Sequence, residues 1–238
     1  MIGGFIITGE EPKKVILRAI GPSLRQRGVT DVLADPMLEL RGSGGEQLAF
    51  NQDWKDSQQT AIENTGIPPQ NDLESAIVAT LSPGAYTAIV RGKNDTTGVG
   101  LIEAYDLAPA ASALLANIST RGLVQTGNNV MVGGFITGGS AGSTKVILRA
   151  IGPSITGLPN RLPDPTLQLF NSNGQLLEAN DNWRNGPDQA EIAAIGIAPK
   201  NDLEASLLAV VPPGSYTAIV AGKNGGVGVG LVEVYDLR

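Results

Sequence analysis

The chain contains the same unit twice, and this repeat constrains its fold more than any other feature. Residues 15–23 read VILRAIGPS, and residues 146–154 repeat these letters 131 positions later. Further blocks recur at offsets of 129 or 130, among them an Asp-Pro pair, a tryptophan, an Asn-Asp-Leu-Glu run and a closing Tyr-Asp-Leu. Because the offset changes only between blocks, insertions and deletions lie in connections, as expected for two copies of one fold.

Short segments bounded by Gly, Pro, Asn or Asp indicate that each copy is built of strands. In copy 1 these segments are residues 15–20, 37–40, 76–81, 86–90 and 99–107. Their regular spacing predicts an all-β chain of two tandem antiparallel, jelly-roll-like β-sandwiches. One short helix is expected in each copy, at residues 188–195 in copy 2, with Asp188 as N-cap and Gly196 as its left-handed end.

A small, apolar segment between the copies has the composition of a linker. The predicted organisation is a first domain at residues 1–107, a linker at 108–117 and a second domain at 118–238. Residues 118–125 and 130–137 resemble two strands of a hairpin around Thr-Gly-Asn-Asn. Copy 1 begins at the position of Met131, so we expect it to lack the first of these strands and to be a piece of a longer array.

The lacking strand predicts an assembly edge at the start of copy 1, formed by Met1, Ile2, Phe5 and Ile6. An unpaired apolar edge is a template for strand addition from another chain. Head-to-tail contacts of that kind propagate into a filament when the rotation does not close. An upstream segment of a longer array that fills the edge in cis explains the same pattern, and the sequence leaves both interpretations open.

Composition excludes most reactive chemistry. The chain has no histidine and no cysteine, which excludes Ser-His-Asp and Cys-His nucleophiles, thiol redox centres, disulfides and His/Cys metal sites. With 17 Lys and Arg against 23 Asp and Glu, the net charge is −6, which argues against binding of nucleic acid. No apolar run approaches the ~20 residues of a membrane span, so we expect no membrane insertion.

The blocks DPTLQLF, NSNG, QLLEANDNW and PPGSYTAIV of copy 2, with DPMLEL and SPGAYTAIV in copy 1, resemble bacterial pre-peptidase C-terminal domains. They also resemble the tandem repeat modules of large secreted bacterial proteins, and the similarity covers roughly two-thirds of each copy. This resemblance implies a jelly-roll-like sandwich outside the cytoplasm, without catalysis of its own. It also implies bound calcium in some members and a protein or polysaccharide ligand in others.

Oxygen-bearing side chains beside an Asp-Pro corner make a candidate calcium site, because calcium takes six to eight oxygen ligands. The candidate ligands are Asp164, Asp181 and Asn182 in copy 2, and Asp35 and Asp53 in copy 1. Asp and Asn are also turn residues that bond their own backbone, and this interpretation stays open. Gln52 stands at the position of Asp181, so if only one copy binds calcium, we expect copy 2 to do so.

Charged residues inside apolar strands predict a structural ion pair in each copy. Arg18 and Arg149 lie within VILRAI, and Glu103 and Glu233 lie within LIEAY and LVEVY. A guanidinium whose stem is buried needs a partner, and a carboxylate on a neighbouring strand provides one. We therefore expect Arg18 to pair with Glu103, and Arg149 with Glu233.

Other repeated residues allow both a structural and a functional interpretation. Asp72 and Glu74 share a strand face and could bind a cation, but a solvated start of a strand is the preferred interpretation. Trp54 and Trp183 are read as core or corner anchors rather than sugar platforms.

These features predict a non-enzymatic structural or assembly module at the cell surface or outside the cell. A carboxylate-only hydrolase is chemically feasible, but a copy barely larger than a sandwich core leaves little chain to build a cleft. The alternative is an adhesive module that binds polysaccharide or protein.

Overall fold

The computed structural model describes residues 1–138 and 142–237. Contacts within the chain divide it into two compact units, Met1–Ala116 and Asn117–Arg238, termed unit 1 and unit 2. The division falls inside the predicted linker at residues 108–117. Strands form 49% of the chain against 13% helix, and the sheets are antiparallel, which confirms the predicted β class.

The strands of unit 1 form two antiparallel sheets around a common core. In chain order they are β1 (Ile2–Thr8), β2 (Lys13–Ile20), β3 (Pro36–Arg41), β4 (Gln47–Asn51), β5 (Ser75–Leu81), β6 (Gly84–Gly92) and β7 (Leu101–Asp106). In one layer the neighbouring strands of this unit follow the order β1, β6, β3, β4, and in the other layer they follow the order β5, β2, β7. A short helix, α1 (Gln59–Glu63), connects β4 to β5.

Unit 2 repeats this arrangement with one more strand. In chain order its strands are β8 (Leu114–Val124), which starts just before the division, β9 (Met131–Thr137), β10 (Thr144–Ile151), β11 (Pro165–Asn171), β12 (Leu176–Asn180), β13 (Ala205–Val211), β14 (Gly214–Gly222) and β15 (Gly228–Asp236). In one layer the neighbouring strands of this unit follow the order β13, β10, β15, β8, and in the other layer they follow the order β12, β11, β14, β9. Helix α2 (Gln189–Ile195) corresponds to α1.

Strand β2 is buried on both faces, which explains its continuous apolar run. Val15 and Leu17 pack in the core between the two sheets of unit 1. Ile16 points to the other face, where it packs with Trp54 and with Ile62 of α1. The segment from β4 to β5 therefore covers the outer face of the β2 sheet. In unit 2 the corresponding outer cluster is Ile147, Trp183, Ile192 and Leu208.

The predicted helix of copy 2 is confirmed, and Asp188 stands at its N-cap position but lacks the side-chain hydrogen bond of a cap. Gly196 ends α2 in the left-handed conformation, with φ of 85°. Asp188 precedes the helix and makes no capping hydrogen bond, since its φ of −93° and ψ of 10° depart from the extended backbone of an N-cap residue. Neither α2 nor any other helix in the described part of the chain has the length and hydropathy to cross a membrane.

Residues 118–125 and 130–137 lie on strands, but the predicted hairpin between them is wrong. Strand β8 pairs with β15, with Ile118 opposite Val234. Strand β9 pairs with β14 in the other sheet, with Val132 opposite Ile219. The chain therefore crosses between sheets where a turn was expected. An alternating apolar pattern sets the buried face of a strand but does not determine which strand lies beside it.

This pairing also corrects the predicted assembly edge at Met1, Ile2, Phe5 and Ile6. The prediction assumed that the strand lacking in copy 1 would pair with β1. In unit 2 the extra strand pairs with β15, whose counterpart in unit 1 is β7. Strand β1 is integrated in its own sheet: Phe5 is buried in the core, and the Met1 amino group donates a hydrogen bond to the Val90 carbonyl at 3.0 Å.

Candidate functional site: polar clusters repeated in both units

A buried carboxylate, that of Glu74, fastens the turn after β2. Its Oε1 accepts hydrogen bonds from the backbone N–H groups of Gly21 at 3.1 Å and Ser23 at 2.8 Å. Its Oε2 accepts from the Ser23 hydroxyl at 2.7 Å and from the Asn71 N–H at 3.2 Å. The side chain is fully buried. The prediction of a solvated strand start is therefore wrong for Glu74, although the Asp72 side chain remains 70% exposed.

Glu204 makes the same contacts in unit 2. It is fully buried and accepts from the N–H groups of Gly152 at 3.1 Å, Ser154 at 2.8 Å and Asn201 at 3.2 Å, and from the Ser154 hydroxyl at 2.6 Å. Each Gly-Pro-Ser turn is thus tied to its Asn-Asp-Leu-Glu run. The joint repetition of these two motifs was the sequence signal for the contact. A carboxylate with these donors is held in place, and the serine hydroxyl is engaged as a donor.

The structure brings together the arginine and glutamate of each predicted ion pair. Arg18 stands opposite Glu103 on adjacent strands, and its Nε donates to Glu103 at 2.9 Å. A second guanidinium nitrogen donates to the Ile67 carbonyl at 2.7 Å. Arg149 likewise contacts Glu233 and the Ile197 carbonyl. The arginine therefore joins two strands of the sheet to the segment that covers them.

A tyrosine completes each of these clusters. The Tyr105 hydroxyl donates to Glu103 at 2.8 Å, and the Tyr235 hydroxyl donates to Glu233 at 2.9 Å. Burial, followed by the hydrogen bond to Glu103, raises the pKa of Tyr105 above its usual 10.0. Burial, followed by the charge of Glu233, raises the pKa of Tyr235 in the same way. Both phenols thus stay protonated and act as structural donors.

At the Asp-Pro corner of unit 2, two of the predicted calcium ligands converge on a lysine. The Lys223 Nζ lies 2.6 Å from Asp181 and 3.8 Å from Asp164. The hydrogen bond to Asp181 is the main cause that raises the pKa of Lys223. Asn182 accepts a hydrogen bond from the Asn180 amide through its backbone carbonyl at 3.3 Å.

At the same corner of unit 1, the lysine forms an ion pair with one carboxylate instead of two. Lys93 lies 3.4 Å from Asp35, and Gln52, at the position of Asp181, contacts Asp53 at 3.4 Å. Across residues 1–138 and 142–237, no group of three or more His, Cys, Asp or Glu side chains is arranged to hold a metal ion.

One side-chain oxygen of each predicted calcium ligand is nevertheless buried without a hydrogen-bond partner in the described structure: Asp35, Asp53, Asp164, Asp181 and Asn182. In unit 2 the positive charge beside two of these carboxylates comes from the Lys223 ammonium. The ammonium contacts the Oδ2 atoms of Asp164 and Asp181, whereas the partnerless oxygens are their Oδ1 atoms, so calcium binding at this corner stays a prediction.

Both tryptophans are buried, Trp54 at 5% and Trp183 at 3% exposure, in the outer clusters under α1 and α2. Their backbone N–H groups donate to the Glu74 and Glu204 carbonyls at 2.8 and 2.9 Å. The anchor interpretation is therefore confirmed, since rings this deeply buried cannot form an open platform for a sugar. The Arg184 guanidinium lies over the Trp183 ring, 4.2 Å from its centroid.

Unit 2 also carries an acidic groove of about 730 Å³ between β12 and α2. Glu178, Asp181 and Asp188 line it together with several Asn side chains. Burial is the main cause that raises the pKa of Glu178, and the charge of Asp188 adds to it. At the positions of Glu178 and Asp188, unit 1 has Ala49 and Gln58, so the groove's acidity is not repeated.

No protein-family model and no curated protein matches the chain. The resemblance to pre-peptidase C-terminal domains therefore remains an expectation. Among solved structures, the chain is similar to a chain of the Sulfolobus turreted icosahedral virus structure, with a TM-score of 0.29 and 10% identity over 98% of this chain and 85% of that one.

Two further viral structures have similarly low TM-scores and sequence identities. The STIV MCP gives a TM-score of 0.26 with 13% identity, over 98% of this chain and 90% of that one. VP2 of the infectious bursal disease virus subviral particle gives 0.21 with 10% identity, over 95% of this chain and 57% of that one. At these TM-scores and identities, the similarities carry no inference about this chain.

Proposed function

We propose that the chain is a non-enzymatic structural module of an extracellular or cell-surface protein. In this proposal each unit is a jelly-roll-like sandwich, and the two in tandem add length or associate with like modules. The observation that carries the proposal is that the polar residues repeated in both copies contact partners inside their own unit. The carboxylates of Glu74 and Glu103 exemplify this, because each is engaged by several internal donors.

Exposed apolar side chains support association with other molecules. On β9, the last strand of its sheet among the described residues, Val132 and Ile136 are 53% and 70% exposed. On β4, Leu48 and Phe50 are 45% and 50% exposed. Residues two apart point to the same side of a strand, and neighbouring exposed apolar groups are typical of contact surfaces.

Sedimentation velocity over a wide concentration range, with electron microscopy of the same samples, tests this function. We expect concentration-dependent association that weakens in Val132→Ser/Ile136→Ser and persists in the control Leu203→Ser, whose leucine is exposed in a loop. A chain that stays monomeric at every concentration would contradict the association and leave a role as a spacer.

A binding module is the second candidate, and the acidic groove of unit 2 favours it. A groove with Glu178, Asp181 and Asp188 suits a cationic or polyhydroxylated ligand, since carboxylates accept hydrogen bonds from both. Binding to a panel of polysaccharides and basic peptides, compared between the native chain and Glu178→Ala/Asp188→Gln, separates this candidate from the first. The double variant copies the residues of unit 1, so a loss of binding would locate the ligand in the groove.

A further inference from the structure

Strands β5 and β13 hold equivalent positions at the edge of a layer in their units. Among the described residues, neither strand pairs with another strand on its outer edge. On β5, the backbone N–H of Ala76 donates to the Asn51 side chain at 2.9 Å. On β13, the N–H of Ser206 donates to the Asn180 side chain at 3.1 Å. Both edges therefore begin with the same contact between a main-chain N–H group and an asparagine.

Two residues further along, a side chain closes the edge of β5. Gln58, the N-cap residue of α1, has a left-handed backbone with φ of 59°. Its amide nitrogen donates to the Val78 carbonyl at 3.0 Å, and its Oε1 accepts from the Val78 N–H at 3.0 Å. The amide thus forms the pair of hydrogen bonds that a neighbouring strand forms, and such covering of an edge prevents strand addition.

At the equivalent place in unit 2 the edge of β13 is open. Leu208 corresponds to Val78, and Asp188 corresponds to Gln58. An ionised carboxylate cannot donate a hydrogen bond to a carbonyl, and the φ of Asp188 is −93° instead of left-handed. Within the part of the chain that the structure describes, no side chain bonds the main chain of Leu208. Val210, the next residue that faces the edge, is 65% exposed.

The acidic groove adjoins this open edge. Ser206 and Leu207, the two residues before the open position, line the groove together with Asp188. Glu178 of β12 also lines it and stands opposite Leu169, which is buried in the core. Because paired residues share a face of the sheet, the Glu178 carboxylate points into the gap between β12 and β13. The groove and the open edge are therefore two parts of one surface.

The groove has acceptors that lack a partner. Asp181 and Asn182 line it, and one side-chain oxygen of each is buried without a hydrogen-bond partner in the described structure. Asp181 forms an ion pair with Lys223. Glu178 and Asp188 have no basic partner among the described residues, and the charge of Asp188 adds to the burial that raises the pKa of Glu178. The groove therefore favours a ligand that brings a positive charge.

We propose that the edge of β13 and the acidic groove form one binding site for an extended segment of another protein that carries a lysine or arginine side chain. The main chain of this segment pairs with Leu208 and Val210, and its basic side chain lies between Glu178 and Asp188. In this mode of recognition, main-chain hydrogen bonds provide affinity and a side-chain pocket provides specificity.

The two observations together select a polypeptide. A polysaccharide or a free amine can contact the carboxylates, but an alternating row of N–H and C=O groups matches the edge of a strand. The equivalent edge of unit 1 is covered by Gln58, so we expect one site per chain. The proposal rests on the second candidate function, binding in the acidic groove, and names the ligand of that groove.

The test uses the full chain and the acetylated and amidated peptide TSVTKVTST, together with its arginine analogue. We expect one peptide to bind per chain by calorimetry. Replacing the lysine by norleucine should lower the affinity about tenfold or more, because the charge is lost while the length is kept. Two N-methylated peptides, one for each set of alternate residues, test the main-chain pairing, and one of the two should lose binding. Hydrogen exchange should show new protection at residues 207–211 and none at residues 76–81.

Matched variants locate the contact. Val210→Pro removes an N–H group on the edge of β13, a position where a strand tolerates proline, and should lower peptide affinity about tenfold or more. The control Thr80→Pro makes the same change at the equivalent residue of β5 and should leave the affinity unchanged. If Val210→Pro does not fold, the N-methylated peptides test the same hydrogen bonds on the native chain. Glu178→Gln/Asp188→Asn should weaken the lysine peptide to the affinity of the norleucine peptide.

Absence of binding by both the lysine and the arginine peptide would overturn the proposal, as would equal affinity of all N-methylated forms or new protection at residues 76–81. If N-acetyl-lysine methylamide bound as tightly as the peptide, a cation site in the groove would stand without strand pairing. If a polysaccharide bound the groove and the peptides did not, the second candidate function would stand and the stated ligand would be wrong.

Discussion

Unit 1 and unit 2 keep the same buried polar clusters but differ at their strand edges. Glu74 and Glu204 accept hydrogen bonds from equivalent donors in equivalent turns. In contrast, β15 pairs with β8 on the side where no strand of the described residues pairs with β7. Glu178 and Asp188 of the acidic groove stand where unit 1 has Ala49 and Gln58.

Buried clusters and exposed strand edges respond differently to mutation because only exposed groups can form hydrogen bonds with water. A buried donor that loses its acceptor cannot turn to solvent, so a change at Glu74 or Glu204 affects the whole turn. An exposed group that loses a partner is hydrated instead, so edges and grooves tolerate change. The repeated residues Glu74 and Glu204 are therefore held by their buried contacts, whereas residues that differ between the units lie where a change costs less.

The largest expected effect comes from Glu74→Ala and Glu204→Ala. Each change leaves several buried donors unsatisfied at ~1–3 kcal/mol each, so the free energy of unfolding of the affected unit should fall by about 3 kcal/mol or more. Denaturant unfolding followed by tryptophan fluorescence measures it, because each unit has one tryptophan and Trp183→Phe or Trp54→Phe leaves a single reporter. Asp72→Ala and Asp202→Ala are the exposed controls. If one of the two variants left the free energy of unfolding unchanged, the Glu74 and Glu204 clusters would not be equivalent.

A smaller loss of stability, equal in the two units, is expected when the tyrosines ionise at alkaline pH. Since the pKa of Tyr105 and of Tyr235 is raised in the folded chain, the folded state keeps protons that the unfolded state loses. Stability should therefore fall as the pH rises above the usual tyrosine pKa of 10.0. Melting temperatures across this range should fall less steeply in Tyr105→Phe/Tyr235→Phe. An unchanged slope in the double variant would show that other groups cause the loss.

The two corner lysines should differ from each other. Lys223 contacts two carboxylates and Lys93 one, so Lys223→Met should lower the melting temperature more than Lys93→Met, and added salt should reduce the difference. Removing the ammonium also frees Asp164 and Asp181 for another cation. Millimolar calcium should then stabilise Lys223→Met and have little effect on the native chain. Equal stabilisation of both would show that calcium binds beside the lysine.

The smallest expected effect concerns the cations over the tryptophans. The Arg184 guanidinium lies 4.2 Å from the Trp183 ring centroid, whereas Lys55 lies 5.2 Å from that of Trp54. At exposed sites such contacts contribute about 0.5–1 kcal/mol, so Arg184→Ala should lower stability slightly more than Lys55→Ala. The same fluorescence unfolding resolves the two, with Asp202→Ala showing how much of the Arg184 effect comes from its ion pair. A larger loss in Lys55→Ala would contradict the ranking by distance.

Much of the fold and part of the candidate site could be predicted from local pattern. The run VILRAI predicts strand, and it forms β2 and β10; Gly196 predicts the end of a helix, and it closes α2. Arg18 inside an apolar strand demands a partner, and Glu103 supplies it. The burial of Glu74 could not be read in this way, because its donors come from a turn about fifty residues earlier in the chain.

The sequence by itself determined the repeat, the β class, most of the strands and the ion pairs between Arg18 and Glu103 and between Arg149 and Glu233. Only the tertiary structure decided that β8 pairs with β15, that Glu74 is buried beneath the turn after β2, and that lysines contact the carboxylates of the Asp-Pro corners. The physical reason is that strands pair through main-chain hydrogen bonds, which are nearly the same for every residue. Side-chain pattern therefore selects the buried face of a strand, whereas its neighbour depends on contacts between distant segments that form only in the complete fold.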